Sequence, residues 1–425
     1  MIREFIIIGM DDSPTPHFTT EVMEAVAAGR VFSGGIRHRA IVSGLLPDGH
    51  VWIDIKAPLD DVFARYEAFS GEAITVFASG DPLFFGFANT VMRRIPEAVI
   101  RLYPCFNSIQ TLAHKTLTRY DDMTMVSLTG RPWTAFDNAL IRRHPKIGVL
   151  TDHRHTPAAI ALRMLEYGYS HYEMIVGEHL GNPTMERIRR MSLEEASAAE
   201  CDSPNCILLV ESGKLLTFGK DKQASLCSHS TATFNFQLST FNYQFGIPDG
   251  QFELLDGRTR MITKAPIRLL TLQAMELPRR KEMWDIGFCT GSVSIEARLL
   301  FPHLNITAFE IRPECERLMH INSRRFGAPG IDARICDFME ADLSQCHPPD
   351  AVFIGGHGGR LKEMMHRIHS VLAPGGCIVF NSVTSESRAT FEDTAQELDM
   401  KLAPPERIAL NDYNPITILR VESCD

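Results

Sequence analysis

The segment Trp284-Asp285-Ile286-Gly287-Phe288-Cys289-Thr290-Gly291 places a glycine turn directly after an apolar run. Val293-Ser294-Ile295-Glu296-Ala297 follows with helical periodicity, and Ile306-Thr307-Ala308-Phe309-Glu310 reads as a short strand ending in a carboxylate. Strand, glycine turn, helix, strand, acid is how an open parallel sheet grips a nucleoside. The main chain approaches the ligand at the turn, helix N–H groups face it, and an acid about 20 residues on accepts ribose hydroxyls. Gly287, Phe288, Cys289, Thr290 and Gly291 would lie beside the ligand, with Glu310 on the ribose. An ordinary strand-to-helix turn and a solvated strand-end acid are the plainer alternatives.

Other segments offer chemistry at the same kind of place. Asp337 and Asp350 follow or edge later strands; either could meet a base or merely cap a helix. Ile354-Gly355-Gly356-His357-Gly358-Gly359 permits close backbone approach, and His357 could bind a carboxylate or carry a proton. A conformational turn alone is the alternative. Asn381-Ser382-Val383-Thr384 adds polar groups after a strand. Lys264 and Arg268, at i and i+4, could make a cationic contact or simply share a surface helix face. Earlier in the chain, Ser79-Gly80-Asp81-Pro82 ends an apolar run, and Asn107-Ser108 after Pro104 could form a second ligand-facing loop. Asp152-His153-Arg154-His155 lacks an independent ligand set, so no metal site is expected.

These residues need a scaffold, and the chain is long enough for two or three domains. Phe5–Ile8, Val31–Phe32, Val51–Ile53, Ala73–Ala78, Val99–Tyr103, Met123–Leu128 and Ile147–Leu150 read as strands alternating with helices, one of them over Thr19–Ala28. Glu173–Glu178 and Cys206–Glu211 look like strands of a mixed sheet. A second α/β series starts near Met261, with strands at Glu282–Ile286, Ile306–Phe309, Ala333–Cys336, Ala351–Ile354 and Cys377–Phe380. A late pair falls near Lys401–Leu410 and Ile416–Val421. Seven strands with a terminal hairpin point to a nucleoside-binding methyltransferase rather than a six-strand dinucleotide fold. The polar stretch between the halves reads as a linker, giving domains over 1–210 and 243–425 joined by 211–242.

The formal charge of −9 argues against a general nucleic-acid binder, because phosphate contact needs concentrated Lys and Arg. Ten cysteines without a repeated pair spacing read as reduced thiols of a cytoplasmic enzyme. No secretory leader or membrane-spanning apolar run is expected.

Together these motifs resemble the bifunctional precorrin-6Y C-methyltransferase family of corrin biosynthesis. In the first half the matching stretches are Gly34–Arg39, Ala78–Gly86, Val126–Arg131, Leu150–Asp152 with Thr156–Ala158, and Gly177–Gly181. In the second they are Gly246–Asp249, Ile262–Arg268, Asp285–Glu296 and Phe353–Gly356. The resemblance implies an α/β protein with an N-terminal bilobal tetrapyrrole methylase fold and a C-terminal seven-strand Rossmann-like methyltransferase fold. It implies methylation of a tetrapyrrole at carbons 5 and 15 and loss of the ring C acetate carboxyl, using S-adenosylmethionine. Cofactor contacts would fall at Gly9 and Ser79–Pro82 in the first half, and at Thr263, Gly287–Gly291, Glu310, Asp337 and Phe338 in the second. A homo-oligomer is also implied. His357, Arg268 and Lys264 become candidates for placing the substrate or compensating charge during decarboxylation, since a polyanionic ligand favours cationic side chains.

Three positions depart from the family pattern. Gly9-Met10-Asp11-Asp12-Ser13-Pro14 replaces a Gly-x-Gly-Pro-Gly turn, Pro104-Cys105-Phe106-Asn107-Ser108 replaces Pro-Gly-x-Ser-Ser, and Cys289 replaces the central glycine of Gly-x-Gly-x-Gly. Two rival readings share the glycine turn: an RNA or protein methyltransferase with an accessory domain, and a catalytically inactive cofactor-binding scaffold.

Overall fold

A computed structural model describes residues 3–212, 245–411 and 414–423. They fall into two compact units, one built on the elements before residue 212 and one on those after residue 245. Phe136–Arg143 and Met164–Ser170 group with the second.

In the first unit, β1 (Glu4–Met10), β2 (Val31–Gly34), β3 (Val51–Asp54), β4 (Ile74–Ser79) and β5 (Val99–Tyr103) form a parallel sheet of order β3-β2-β4-β1-β5. The apolar run of β1 is buried because the strand is central and covered on both faces. The predicted first helix runs over Thr20–Ala28, with Thr19 as its N-cap accepting from the Val22 N–H. The β1–β4 register sets Gly9 opposite Ala78 and Met10 opposite Ser79, so two candidate loops leave the same sheet edge side by side.

A second sheet of this unit holds β6 (Thr124–Ser127), β7 (Lys146–Leu150), β8 (Tyr172–Glu178), β9 (Arg187–Ser192) and β10 (Asn205–Glu211) in the order β6-β7-β10-β8-β9. Only β6 and β7 run parallel, which is the mixed sheet expected from the sequence. The linker expected over 211–242 lies outside the described residues except for its first two positions, and Glu211 closes β10.

The second unit has strands β11 (Glu282–Ile286), β12 (Asn305–Glu310), β13 (Ile331–Ile335), β14 (Ala351–Ile354), β15 (Cys377–Ser382), β16 (Lys401–Leu402), β17 (Glu406–Ile408) and β18 (Ile416–Glu422). Their order is β13-β12-β11-β14-β15-β18-β16, with β17 also on β18. The five strands β11–β15 are parallel, and β18 inserts antiparallel between β15 and β16. The chain leaves β11 toward β12 and β14 toward β15. The crevice where connections diverge therefore opens at the C-terminal ends of β11 and β14, above Gly287 and Gly355. Trp284, Phe309, Phe338, Val352 and Phe380 pack one face of this sheet, and Met283, Val293, Phe353 and Val379 the other. Among the described residues no helix is long and apolar enough to cross a membrane.

Candidate active sites

In the first unit the ends of β1 and β4 border a cavity of about 320 Å³. A Cβ added to Gly9 would stand 2.1 Å from the Gly80 carbonyl oxygen, so only glycine lets these loops meet. Ser79, Gly80, Asn107 and Ser108 line the cavity. Gly9, Asp81 and Pro82 shape it from behind: Asp81 Oδ1 accepts the Leu83 N–H at 2.9 Å, and Pro82 packs against Gly9. The Asn107 amide is used locally, in a capping box with Gln110 that starts the helix Ser108–Lys115.

Sequence reasoning missed the charged neighbours of Ser79. Arg37 Nη2 donates to Ser79 Oγ at 2.9 Å, and His38 Nε2 lies 2.9 Å from the same oxygen. The Gly35 N–H donates to His38 Nδ1 at 3.2 Å, so the neutral ring carries its proton on Nε2 and donates to Ser79. Burial first, then the Arg37 charge, lower the His38 pKa to about 4, and Asp12 opposes them only in part. With both lone pairs engaged, Ser79 keeps its hydroxyl proton for an acceptor in the cavity. Asp12 bridges Arg37 (2.7 Å) and His179 Nδ1 (3.0 Å). The signal was present in Gly34–Arg39, but Ser79 is distant in sequence and no spacing rule joins them. Asp152 accepts from the Arg154 and His155 amides and from the Gly130 amide, and so organises its own loop.

In the second unit two cavities meet at the glycine turn. The larger, about 480 Å³, is lined by Thr263, Lys264, Asp285, Gly287, Phe288, Cys289, Thr290, Arg312, Gly356 and Asn381, with Val383, Phe353 and Ile408 among its apolar walls. The smaller, about 240 Å³, holds Glu310, Asp337, Phe338 and His357. Gly287, Arg312 and Gly356 border both. A Cβ on Gly287 would stand 2.7 Å from the Gly356 nitrogen, and φ there is +80°. The turn therefore requires glycine. Gly291 caps the helix Ser292–Leu300 in the left-handed region, and Cys289 also has a φ of 50°, a conformation costly for a residue with a Cβ.

Asp285 is the most unusual group here. It is 1% exposed, Ser294 Oγ donates to its Oδ2, and Oδ1 has no hydrogen-bond partner. Burial pushes its carboxyl up to about 7, despite the Ser294 hydrogen bonds. A buried carboxylate oxygen without a donor, on the wall of an open cavity, is a place for a ligand cation or donor.

Glu310 is already saturated. Its Oε1 accepts from Arg312 N (3.1 Å) and Nε (2.9 Å), and its Oε2 from Arg312 Nη2 (2.7 Å) and the Cys289 N–H (3.0 Å). Burial raises the Glu310 pKa, but the Arg312 hydrogen bonds and charge and the Cys289 amide outweigh it, so the group lies below its ordinary value. Asp337 is held by Arg360 at 2.6 Å and by the Met339 amide, and Phe338 packs in the core against Trp284 and Phe309. His357 Nδ1 accepts the Gly359 N–H at 3.2 Å, its ring edges against Phe380, and burial lowers its pKa. It presents Nε2–H as a neutral donor.

Three sequence expectations change. Arg268 is not a substrate contact: its guanidinium is 0% exposed and bonds Glu296 Oε2 (3.0 Å), Asp249 (3.3 Å) and the carbonyls of Thr263 and Ile247. Arg268 instead ties the segment before its helix to the helix that follows the glycine turn. His357 is not grouped with Lys264, since they line different cavities. Asp350 accepts the Lys281 and Glu282 amides at the N-terminal ends of β11 and β14, whereas the crevice lies at their C-terminal ends. Lys264 does line the larger cavity, with Nζ donating to the Thr259 carbonyl at 2.7 Å.

A central crevice, a glycine turn, a strand-end acid and an antiparallel last strand define a methyltransferase domain. Consistent with this, residues 255–420 match the family model described as precorrin methyltransferase domain. Over 395 residues the chain is 30% identical to a precorrin-6Y C(5,15)-methyltransferase [decarboxylating] from Sinorhizobium sp, covering 91% of this chain and 86% of the relative. It is 40% identical over 126 residues to a cobalt-precorrin-6B C(15)-methyltransferase (decarboxylating) from Salmonella typhimurium, 30% of this chain and 64% of that one. It is 28% identical over 193 residues to a cobalt-precorrin-7 C(5)-methyltransferase from the same organism, 45% of this chain and 92% of that one. The chain belongs to the precorrin-6Y C(5,15)-methyltransferase (decarboxylating) family.

Proposed function

We propose that this chain methylates a precorrin or cobalt-precorrin at carbons 5 and 15 and decarboxylates the ring C acetate, in cobalamin biosynthesis, with S-adenosylmethionine as methyl donor. The observation that carries the reading is the pairing, in one chain of this family, of two α/β units that each hold a strand-end cavity. We assign carbon 5 to residues 1–210 and carbon 15 with decarboxylation to 243–425. A cytoplasmic homo-oligomer that binds no nucleic acid completes the proposal, in keeping with the net charge of −9.

The second unit's residues fit the cofactor. The orphaned Asp285 Oδ1 suits its ammonium group, Gly287 and Gly356 admit close backbone approach, and Glu310 with Asp337 and Phe338 suits ribose and base. When bound, S-adenosylmethionine supplies the electrophilic methyl group. The protein's work is then alignment, on the order of 7–11 kcal/mol in favourable model systems. Phe288 and Phe353, both buried, give the larger cavity an apolar wall, and a substrate carboxylate set against it is poorly solvated, which favours release of carbon dioxide. Lys264 offers a cation at that wall. In the first unit Ser79 holds an acceptor through its hydroxyl, oriented by Arg37 and His38.

The test is mass analysis of products from the full chain given metal-free and cobalt-containing substrates separately. Gain of two methyl groups with loss of one carbon dioxide is expected from at least one of them; methylation without carbon dioxide release from either would refute the second-unit assignment. Glu310→Ala is expected to weaken S-adenosylhomocysteine binding by the second unit about tenfold, the lower end of a charge-assisted hydrogen bond. Unchanged calorimetric affinity in a protein with native circular dichroism would remove Glu310 from the site.

A further inference from the structure

Arg312 occupies the place that the cofactor reading gives to ribose. A carboxylate accepts about four hydrogen bonds, and Glu310 receives four: three from Arg312 and one from the Cys289 amide. The Nε and Nη2 pair forms a two-pronged clamp with one prong on each oxygen. A ribose diol therefore reaches this carboxylate only by taking positions that the guanidinium now fills. Arg312 is not locked in place by burial: a third of its side-chain surface, 34%, is exposed, whereas Glu310 is 2% exposed. It also borders both the smaller cavity and the larger one.

We infer that Arg312 is a substrate-binding residue that couples the two cavities. Ribose hydroxyls displace its guanidinium from Glu310, and the released cation turns to the larger cavity, where it pairs with a carboxylate of the tetrapyrrole. The inference rests on the proposed cofactor site. Its physical basis is the exchange of one charge-assisted clamp for another: a cation that ribose displaces from a protein carboxylate recovers its partner in a ligand carboxylate. Cofactor and substrate thereby reinforce each other's binding, and by linkage each raises the other's affinity by the same factor.

The test uses the full chain. Calorimetric titration with S-adenosylhomocysteine gives the second unit's isotherm as the one abolished by Gly356→Val. In Arg312→Ala that isotherm is expected to keep its affinity or tighten, because nothing has to be displaced. The KM for tetrapyrrole in carbon dioxide release is expected to rise about tenfold or more, the loss of one charged hydrogen-bonding pair. Arg312→Lys, which keeps the cation but cannot clamp Glu310 with two prongs, is expected to recover part of that KM. Circular dichroism and a melting temperature matching the parent's report that each variant is folded.

A tenfold loss of S-adenosylhomocysteine affinity in Arg312→Ala, or an unchanged tetrapyrrole KM, overturns the coupling and makes Arg312 a fixed brace for Glu310. Both results leave the cofactor site standing. If the parent chain shows no isotherm sensitive to Gly356→Val, the cofactor reading itself fails, and the coupling with it.

Discussion

Asp285→Asn is expected to make the protein more stable at pH 8 than the parent, and less so at pH 5. The parent carboxyl has a pKa near 7 in the fold against an ordinary 3.8, because burial penalises its charge. A folded state that keeps a proton the unfolded chain has lost gains stability at low pH and forfeits it as pH rises. From about pH 4 to 7 the parent therefore loses about 1.4 kcal/mol per pH unit at this one site, about 4 kcal/mol in all. Asparagine does not titrate, accepts the Ser294 hydroxyl through its carbonyl and presents an NH2 to the cavity. The difference in unfolding free energy, variant minus parent, should grow by about 2–3 kcal/mol between pH 5 and pH 8. Denaturant unfolding at the two pH values measures it. A pH-independent difference would mean that Asp285 is ionised, with a partner, throughout. The same carboxyl predicts the binding trend: S-adenosylhomocysteine affinity of the second unit rises from pH 6 to 8 in the parent and loses that rise in the variant. A cation binds the ionised acid and so drags its pKa down.

Asp285 was not among the sequence candidates, and the reason is physical. In Trp284-Asp285-Ile286 it reads as one more residue of an apolar strand, and only the fold shows that the residue lines a cavity and that its Oδ1 is buried without a partner. The elements themselves were legible where strands are central. β11, β12, β14 and β15 were each found within two residues, because strands buried on both faces are continuous apolar runs. β9, Arg187–Ser192, was missed because an edge strand with charged side chains carries no such run. The late strand was expected as one piece near 401–410. It is split into β16 and β17, since Pro404 and Pro405 cannot donate to the ladder.

Cationic residues were the least legible. Lys264 and Arg268 share a spacing, yet one lines a cavity and the other is sealed beneath it, because Glu296, 28 residues away, supplies a fully buried counter-charge. Arg37 and Arg312 were overlooked for the converse reason. Arg312 is only two residues from its partner, but it is the direction of Glu310 into the crevice that turns a surface pair into a clamp on the site. The choice between a surface helix face and a ligand contact is made by partners that periodicity cannot see.

Gly356→Val should abolish the second unit's chemistry while sparing the fold and the first unit. Gly356 borders both second-unit cavities. A Cβ built there meets nothing nearer than the Gly287 Cα at 4.0 Å, an ordinary contact, and its φ lies outside the left-handed region. The backbone therefore accepts a β-branched residue, and the melting temperature should stay close to the parent's. The new methyl groups have only the ligand space to fill, at the point where the Gly287 turn comes closest to the next loop. Displacing a reactant by about 1 Å can cost about a hundredfold in rate, so carbon-15 methylation and carbon dioxide release should fall together by at least that factor. They share one alignment. Carbon-5 methylation is expected to continue, because we assign it to the cavity bordered by Ser79, Gly80 and Asn107. Product mass spectra separate the outcomes: a singly methylated product that retains its carboxyl is expected. Undiminished carbon dioxide release from a folded Gly356→Val protein would place decarboxylation outside the β11–β14 crevice.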